Sequence, residues 1–173
     1  MTVTVHWTQK ETSIGMVTLV AVNERLCWVG LPTTSLDSAK SWIGKYLNNT
    51  EFIEEPNKNI FIKTYDELEE YLQQHRKNFT VLYMLLGTEF QKKVWQKLSR
   101  IPYGSTLTYG TFTKTFADIK TVRAVGTACG VNPLPIIIPC HRVVGGNGSL
   151  VGYIGGLELK KKLLHIESLQ LFA

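Results

Sequence analysis

Cys140 and His141 are adjacent in the sequence and lie between Pro139 and Arg142, after an apolar run and before a glycine-rich loop. A cysteine thiolate is the strongest nucleophile among the ordinary side chains, and a neighbouring base or positive charge makes it available. A buried structural cysteine is the alternative, because free cysteine is among the most buried residue types. The thiol is positioned like a nucleophile at the edge of a predicted buried strand over residues 136–138, and the Cys-His pair alone leaves the structural alternative open.

The positive charge of the chain is concentrated in its C-terminal half. The 173 residues carry a formal net charge of +5. Residues 1–86 contain 8 Lys and Arg against 10 Asp and Glu, whereas residues 87–173 contain 11 against 4. A basic half is typical of a protein that binds a phosphate backbone, and ordinary solubility charge is the alternative explanation. We therefore expect the second half to contact nucleic acid.

The cysteines and the apolar segments indicate the compartment. Cys27, Cys129 and Cys140 are an odd number of cysteines without framework spacing, which points to a reducing compartment. No apolar stretch approaches the roughly 20 residues of a membrane span, and the N-terminus lacks the pattern of a signal peptide. Cys27 with His6 or His75 does not have the spacing of metal ligands. We expect a cytoplasmic protein with no membrane contact, no metal and no cofactor.

The first half of the chain has the periodicity of an α/β domain. Alternating residues at 16–21 and an apolar run at 26–29, separated by a polar turn, predict a hairpin or meander. Apolar spacing further along predicts two helices and then a strand-like run, over residues 38–47, 66–74 and 81–86.

A domain boundary is predicted near Gly87, where short helices begin. Thr88 and Gln91 have the spacing of a capping box, and apolar residues then follow at helical spacing until Pro102. The resulting domains are residues 1–86 and residues 87–173.

Two further short helices predict a helix-turn-helix unit. Thr108 can cap the first of them and Thr121 the second, which ends at Gly130. Two short helices joined tightly are typical of this DNA-binding motif. Arg123 is one long cation among very small side chains, which let a helix backbone approach a bulky partner. Close packing against a neighbouring helix is an equally good explanation of the small residues.

Taken in order, the motifs of the second half resemble those of the O6-alkylguanine-DNA alkyltransferases, also called methylated-DNA–protein-cysteine methyltransferases. The ordered set is specific, although each piece alone is weak. It comprises Gly87–Gln91, Val94-Trp95, Ile101–Gly104, Thr108-Tyr109, Arg123–Gly126, Asn132-Pro133, Ile138–Val143, Gly152-Tyr153, Gly155–Leu157 and Lys160. The resemblance implies a mainly α winged-helix/helix-turn-helix domain at the C-terminus. It also implies a ribonuclease-H-like α/β domain at the N-terminus, where the likeness is one of pattern only.

The resemblance implies that Cys140 is the alkyl acceptor. By motif position His141 acts through a water to deprotonate the cysteine, and Glu167 orients the histidine. Asn132 is similar to the hinge asparagine that ties the helix-turn-helix to the active-site strand. Lys162 replaces an aromatic residue that many members carry in the last helix, and this departure bears on the placing of Glu167.

The resemblance also implies contacts with DNA. Tyr109 is similar to the tyrosine that rotates the target phosphate and donates a hydrogen bond to the base. Arg123 is similar to the arginine that takes the place of the flipped-out nucleotide, and flipping is needed because O6 of a stacked guanine is shielded. Ala124 and Gly126 suit a close approach to the minor groove. Gln91, at a helix start, is predicted to offer its backbone N–H to a phosphate.

The remaining site residues are expected around the base. Tyr153 is expected to close one side of the pocket, and backbone groups around Val143 and Val144 are expected to hold the guanine. Ile154 stands where some members have serine and others alanine, so it is expected to alter the size of the pocket. Arg142 is expected to be an internal structural cation rather than a DNA contact.

The implied function is DNA repair by direct, stoichiometric and irreversible alkyl transfer from O6-alkylguanine in duplex DNA to Cys140. O4-alkylthymine is a further expected substrate, and the protein is expected to be monomeric. Two alternatives come from other classes of protein: a non-enzymatic alkyl-damage-binding protein and a thiol-sensing helix-turn-helix protein. The damage-binding proteins usually replace the acceptor cysteine with tryptophan, whereas this chain keeps it. A cysteine hydrolase would leave the basic helix-turn-helix unexplained.

Overall fold

The computed structural model describes residues 1–116 and 122–168. The chain forms two compact units, Met1–Gly87 and Thr88–Ala173. Thr121, which the sequence suggests as a helix cap, lies outside the described residues. Over the part of the chain that is described, none of the helices has the length and apolar character needed to cross a membrane.

A mixed sheet forms the centre of the first unit. Four strands lie in the order β3-β2-β1-β4: β1 (Val3–Thr12), β2 (Gly15–Val22), β3 (Arg25–Gly30) and β4 (Thr50–Glu54). The first three strands are antiparallel neighbours, and β4 runs parallel to β1. The predicted hairpin is confirmed as β2 and β3. Its turn places Asn23 and Glu24 at φ of 49° and 58°, and two successive positive φ values match the right-handed twist of the strands.

Two helices and an extended segment complete the first unit. Both predicted helices are confirmed with shifted ends, as α1 (Leu36–Ile43) and α2 (Asn59–Leu72). The strand-like run at 81–86 is extended, but among the described residues it pairs with β3 through a single bridge between Leu26 and Tyr83. Side chains from the sheet, α1 and this segment share one core: Val5, Val20, Val22, Cys27, Trp28, Ala39, Ile43 and Leu86.

Short helices dominate the described part of the second unit. They are α3 (Glu89–Leu98), α4 (Tyr109–Thr113), α5 (Val122–Gly130) and α6 (Leu157–Glu167), with a two-stranded parallel pair of β5 (Leu107–Thr108) and β6 (Val143–Val144). The capping box is confirmed. The Gln91 N–H donates to the Thr88 hydroxyl at 3.2 Å, and the Thr88 N–H donates to the Gln91 side chain at 2.9 Å. The Thr108 hydroxyl caps α4 by accepting from the Thr111 N–H at 3.1 Å.

The strand predicted over residues 136–138 is wrong. Pro133 and Pro135 remove two backbone donors just before it, so the segment cannot continue a strand ladder. Ile136 instead adopts a φ of 74° within a turn. The chain then forms the 3₁₀ turn Cys140–Arg142, and β6 begins only after that turn.

Candidate active site

A cavity of about 240 Å³ opens beside Cys140 in the second unit. Helices α4 and α5, the 3₁₀ turn and the loop before α6 contribute its walls, which are formed by Tyr109, Gly126, Cys129, Gly130, Cys140, Gly152, Tyr153 and Ile154. Cys140 itself is only 4% exposed. The cavity therefore unites the predicted nucleophile with three residues expected to contact the base, Tyr109, Tyr153 and Ile154.

The small residues of α5 lie on two different faces of the helix. Gly126 faces the cavity, where a Cβ atom would lie 3.9 Å from the Tyr109 ring. Ala128 is buried, and its carbonyl accepts a hydrogen bond at 2.8 Å from the Trp95 indole of α3. Arg123 is exposed. Close packing against α3 therefore explains the small residue at Ala128, and close approach of the other face to a bulky partner stays a prediction.

Asn132 fixes the turn that carries the cysteine. Its side-chain amide donates to the Ile138 carbonyl at 2.9 Å, and its side-chain oxygen accepts from the Leu134 N–H at 3.0 Å. The same side chain lowers the pKa of the Cys140 thiol. Because Asn132 is fully enclosed and follows the end of α5, it couples this helix to the cysteine turn.

His141, Arg142 and Glu167 form a buried charge cluster. The imidazole Nε2 of His141 lies 2.8 Å from Oε1 of Glu167. Arg142 donates from Nη2 to Oε1 at 2.9 Å and from Nε to Oε2 at 2.9 Å, and the Gly104 N–H donates to Oε2 at 3.1 Å. The departure at Lys162 therefore does not displace Glu167 from His141. Arg142 is an internal structural cation, as the sequence suggested.

The cluster sets the protonation of His141. Burial raises the pKa of Glu167, but the hydrogen bonds from His141 and Arg142 lower it by a larger amount. The pKa of Glu167 is therefore about 2. Burial also lowers the pKa of His141, against the opposing pull of the Glu167 carboxylate. The imidazole is therefore neutral near pH 7, and since an ionised carboxylate only accepts, Nε2 donates and Nδ1 carries the lone pair. An imidazole held in this tautomer is a suitable general base.

Lys160 is a buried cation that the sequence interpretation left without a role. Its side chain is fully enclosed, and Nζ donates to the carbonyls of Val143 at 2.7 Å, Val151 at 2.8 Å and Gly152 at 3.3 Å. These bonds fix the loop on one side of the cavity to α6. In the sequence Lys160 begins a run of three lysines, a pattern typical of a solvated face, so only its place in the family motif could have marked it.

Two thiols line the cavity, and burial acts on both. Burial raises the pKa of the Cys140 thiol, while the hydrogen bond from Asn132 and the nearby charge of Lys160 lower it by less. Burial raises the pKa of Cys129 to about 12, so this second thiol is not a nucleophile at neutral pH. Cys140 needs a base before it can react. Within the described residues, no three His, Cys, Asp or Glu side chains converge as metal ligands.

The other predicted site residues lie outside the cavity. Arg123 is exposed and Ala124 half-buried on α5, whereas Val143–Val144 is buried in β6 and lines no part of the cavity. The guanine-binding role of that segment therefore gains no support. The backbone N–H of Gln91 donates to Thr88 in the capping box, and its expected donation to a phosphate stays a prediction.

The fold and the site define a class of protein. A protein of this class consists of an α/β unit and a helical unit. In the helical unit a buried cysteine lines a small cavity beside a helix of small residues, and the neighbouring neutral histidine is hydrogen-bonded to an ionised carboxylate.

Comparison with known proteins identifies the family. Residues 89–169 match the family model described as 6-O-methylguanine DNA methyltransferase, DNA binding domain. The chain is 40% identical over 159 residues to the methylated-DNA–protein-cysteine methyltransferase of Methanosarcina acetivorans, covering 91% of this chain and 94% of that protein. It is 38% identical over 165 residues to the constitutive enzyme of that name from Bacillus subtilis, covering 94% of each. The chain belongs to the methylated-DNA–protein-cysteine methyltransferase family.

Solved structures agree with this assignment. The chain resembles the O6-methylguanine methyltransferase of Mycobacterium tuberculosis with a TM-score of 0.81 at 34% identity, covering 96% of this chain and 94% of that one. It resembles OGT of the same organism in complex with DNA with a TM-score of 0.79 at 34% identity, covering 94% and 92%. The expected α/β N-terminal unit and helical C-terminal unit are confirmed.

Proposed function

We propose that this protein repairs alkylated DNA by transferring the alkyl group of O6-alkylguanine, once and irreversibly, to Cys140. The carrying observation is a buried cysteine on the wall of a small cavity, next in sequence to a histidine that is held by a carboxylate. Family membership supports the same chemistry. The partner is duplex DNA that contains alkylated guanine, with O4-alkylthymine as a second substrate. The protein acts as a monomer in the cytoplasm, on nucleoid DNA.

The first step is removal of the thiol proton. His141 follows Cys140 directly in the 3₁₀ turn, and a bridging water carries the proton from Sγ to Nδ1 of the imidazole. Glu167 accepts from Nε2 and stabilises the imidazolium that forms. Asn132 and Lys160 stabilise the thiolate, since both lower the pKa of Cys140.

The second step is an in-line displacement at the alkyl carbon. The Sγ–C bond forms as the C–O6 bond breaks, and the purine keeps the electron pair of that bond. Uptake of one proton from water restores guanine, and His141 then releases the proton of the thiol to water. Burial raises the pKa of Tyr109, which keeps its hydroxyl protonated and able to donate to the purine. The product thioether has no hydrolytic exit, so each molecule reacts once.

The target base must leave the duplex to reach this cavity. We assign residues 87–173 to a winged-helix/helix-turn-helix domain in which α4 and α5 approach the minor groove, and residues 1–86 to a ribonuclease-H-like domain. Arg123 takes the place of the flipped nucleotide, and Ala124 and Gly126 permit the close approach. In the cavity, Tyr153 covers the base and Ile154 limits the size of the alkyl group.

The test is a mass measurement on the intact protein after incubation with a duplex that contains one O6-methylguanine. We expect a gain of one methyl group, mapped by peptide analysis to Cys140 and absent in Cys140→Ser. Methylation at another residue, or more than one repair per molecule, would disprove the mechanism.

A second measurement tests the flipping role of Arg123. Arg123→Ala is expected to slow repair of duplex DNA much more than reaction with free O6-methylguanine, because only the duplex requires flipping. Lys161→Ala, which removes an exposed lysine of α6, is the matched control. Equal losses of both rates in Arg123→Ala would refute the role.

A further inference from the structure

A second cavity, of about 280 Å³, lies in the second unit and shares no lining residue with the cavity at Cys140. Its inner wall is apolar and includes Ile101 and Phe112, which are buried, and Leu107, which is half-buried. The exposed Ser105 lies at its edge. Alkyl transfer as described above makes no use of this cavity.

Cations line one side of the second cavity. Lys93 and Lys97 are one turn apart on α3, which ends at Leu98, and Arg100 lies in the turn that follows the helix; these three cations are called the Lys93–Arg100 face. Lys97 and Arg100 are themselves lining residues. The Lys97 ammonium donates to the Thr115 carbonyl and lies 4.4 Å from the centre of the Phe116 ring. Among the described residues, no carboxylate lies within ion-pair distance of these three cations.

Two kinds of partner match parts of this surface. A DNA backbone or a free phosphate would satisfy the three cations, but it would leave the apolar cavity empty. An acidic peptide with one aromatic side chain satisfies both, since the ring fills the cavity and the carboxylates meet Lys97 and Arg100. Among the described residues no carboxylate pairs with these cations, and the apolar cavity lies directly beside them, which favours a peptide.

We propose that this cavity and the Lys93–Arg100 face form a docking site for an acidic segment of a partner protein, anchored by one aromatic side chain. The site goes beyond alkyl transfer, because it has no residue in common with the cavity that holds the acceptor cysteine. A docked partner therefore leaves Cys140 accessible to a flipped base.

The test uses fluorescence anisotropy of a fluorescein-labelled peptide of three aspartates followed by leucine and phenylalanine. The full-length protein is expected to bind this peptide, and replacing the phenylalanine by alanine is expected to weaken binding at least tenfold (about 1.4 kcal/mol), as for a buried anchor. Arg100→Glu is expected to weaken binding about fivefold. Lys161→Glu makes an equal charge change at an exposed position of α6 and is expected to leave binding unchanged.

A cavity-filling variant separates the apolar anchor from the charge. Ser105→Trp places a large side chain at the mouth of the cavity and is expected to abolish peptide binding while the rate of methyl transfer to Cys140 stays at the wild-type value. That second readout also shows that the variant is folded. Equal binding of the phenylalanine and alanine peptides would overturn the proposal. So would displacement of the peptide by undamaged duplex DNA together with an equal loss of DNA binding in Arg100→Glu.

Discussion

Replacing Glu167 by glutamine measures what the buried charge cluster contributes to the second unit. Glutamine keeps the shape of the side chain and approximates the protonated carboxyl. The pKa of Glu167 is about 2 in the folded protein, against an ordinary value of 4.5. Since one pKa unit corresponds to about 1.4 kcal/mol, the ionised carboxylate contributes about 3 kcal/mol to the free energy of unfolding at pH 7. Loss of one partner from a buried ion pair, here with Arg142, costs about 3–5 kcal/mol, which agrees.

The pH dependence of this loss has a fixed sign. The folded pKa of Glu167 lies below the unfolded value, so its contribution is complete above about pH 4.5 and disappears as the pH falls toward about 2. Glu167→Gln should therefore be less stable than the wild type by about 3 kcal/mol at pH 7. The two proteins should become equally stable near pH 2.

The assay must report on the second unit alone, because two compact units need not unfold together. Trp95 lies in the second unit and Trp7, Trp28 and Trp42 lie in the first, so urea denaturation followed by the fluorine signal of 5-fluorotryptophan at Trp95 is specific. Glu89→Gln, at an exposed carboxylate, is the control and should cost less than about 1 kcal/mol. A loss in Glu167→Gln below about 1 kcal/mol, or one constant from pH 7 to pH 3, would refute the reasoning.

Three further predictions concern other parts of the second unit. Lys160→Met should move the pH profile of Cys140 alkylation by iodoacetamide to higher pH, because the ammonium lowers the thiol pKa; an unshifted profile would contradict this. Gly104→Ala should destabilise the unit by about 1–2 kcal/mol in the same denaturation assay. At a φ of 74° its Cβ would lie 3.2 Å from the Glu167 carbonyl, and an unchanged midpoint would be inconsistent with this strain. Thr88→Ala should cost about 1 kcal/mol through loss of the α3 cap, and wild-type stability would argue against the cap.

Local signals in the sequence identified local structure. The capping box of Thr88 and the cap at Thr108 depend on residues only three positions apart, so both starts are visible without tertiary context. Strands β1 and β4 were not predicted, because only two of the ten residues of β1 are buried and β4 is a polar edge strand. The parallel pairing of these strands joins residues that are far apart in the sequence. Pairing between distant segments does not show in the local hydrophobic periodicity of the sequence.

The site residues that belong to sequence motifs were predicted, and the features of the site that depend on burial were missed. The family resemblance located Cys140 and paired His141 with Glu167 across 26 residues, a contact that periodicity cannot give. The strand expected before Cys140 failed although Pro133 and Pro135 were visible, because the apolar run was given more weight than the missing donors.

Burial of both Cys140 and Lys160 explains why the proposed acceptor site needs an internal cation as well as a separate base. Burial raises the pKa of Cys140 and lowers that of Lys160, so each disfavours its own charge. The two charges stabilise each other, since the thiolate raises the pKa of Lys160 and the ammonium lowers that of Cys140. This mutual effect makes a thiolate less costly, but burial remains the larger effect. In the proposed mechanism, ionisation of the thiol is therefore the role of His141, whose neutral form the same burial preserves.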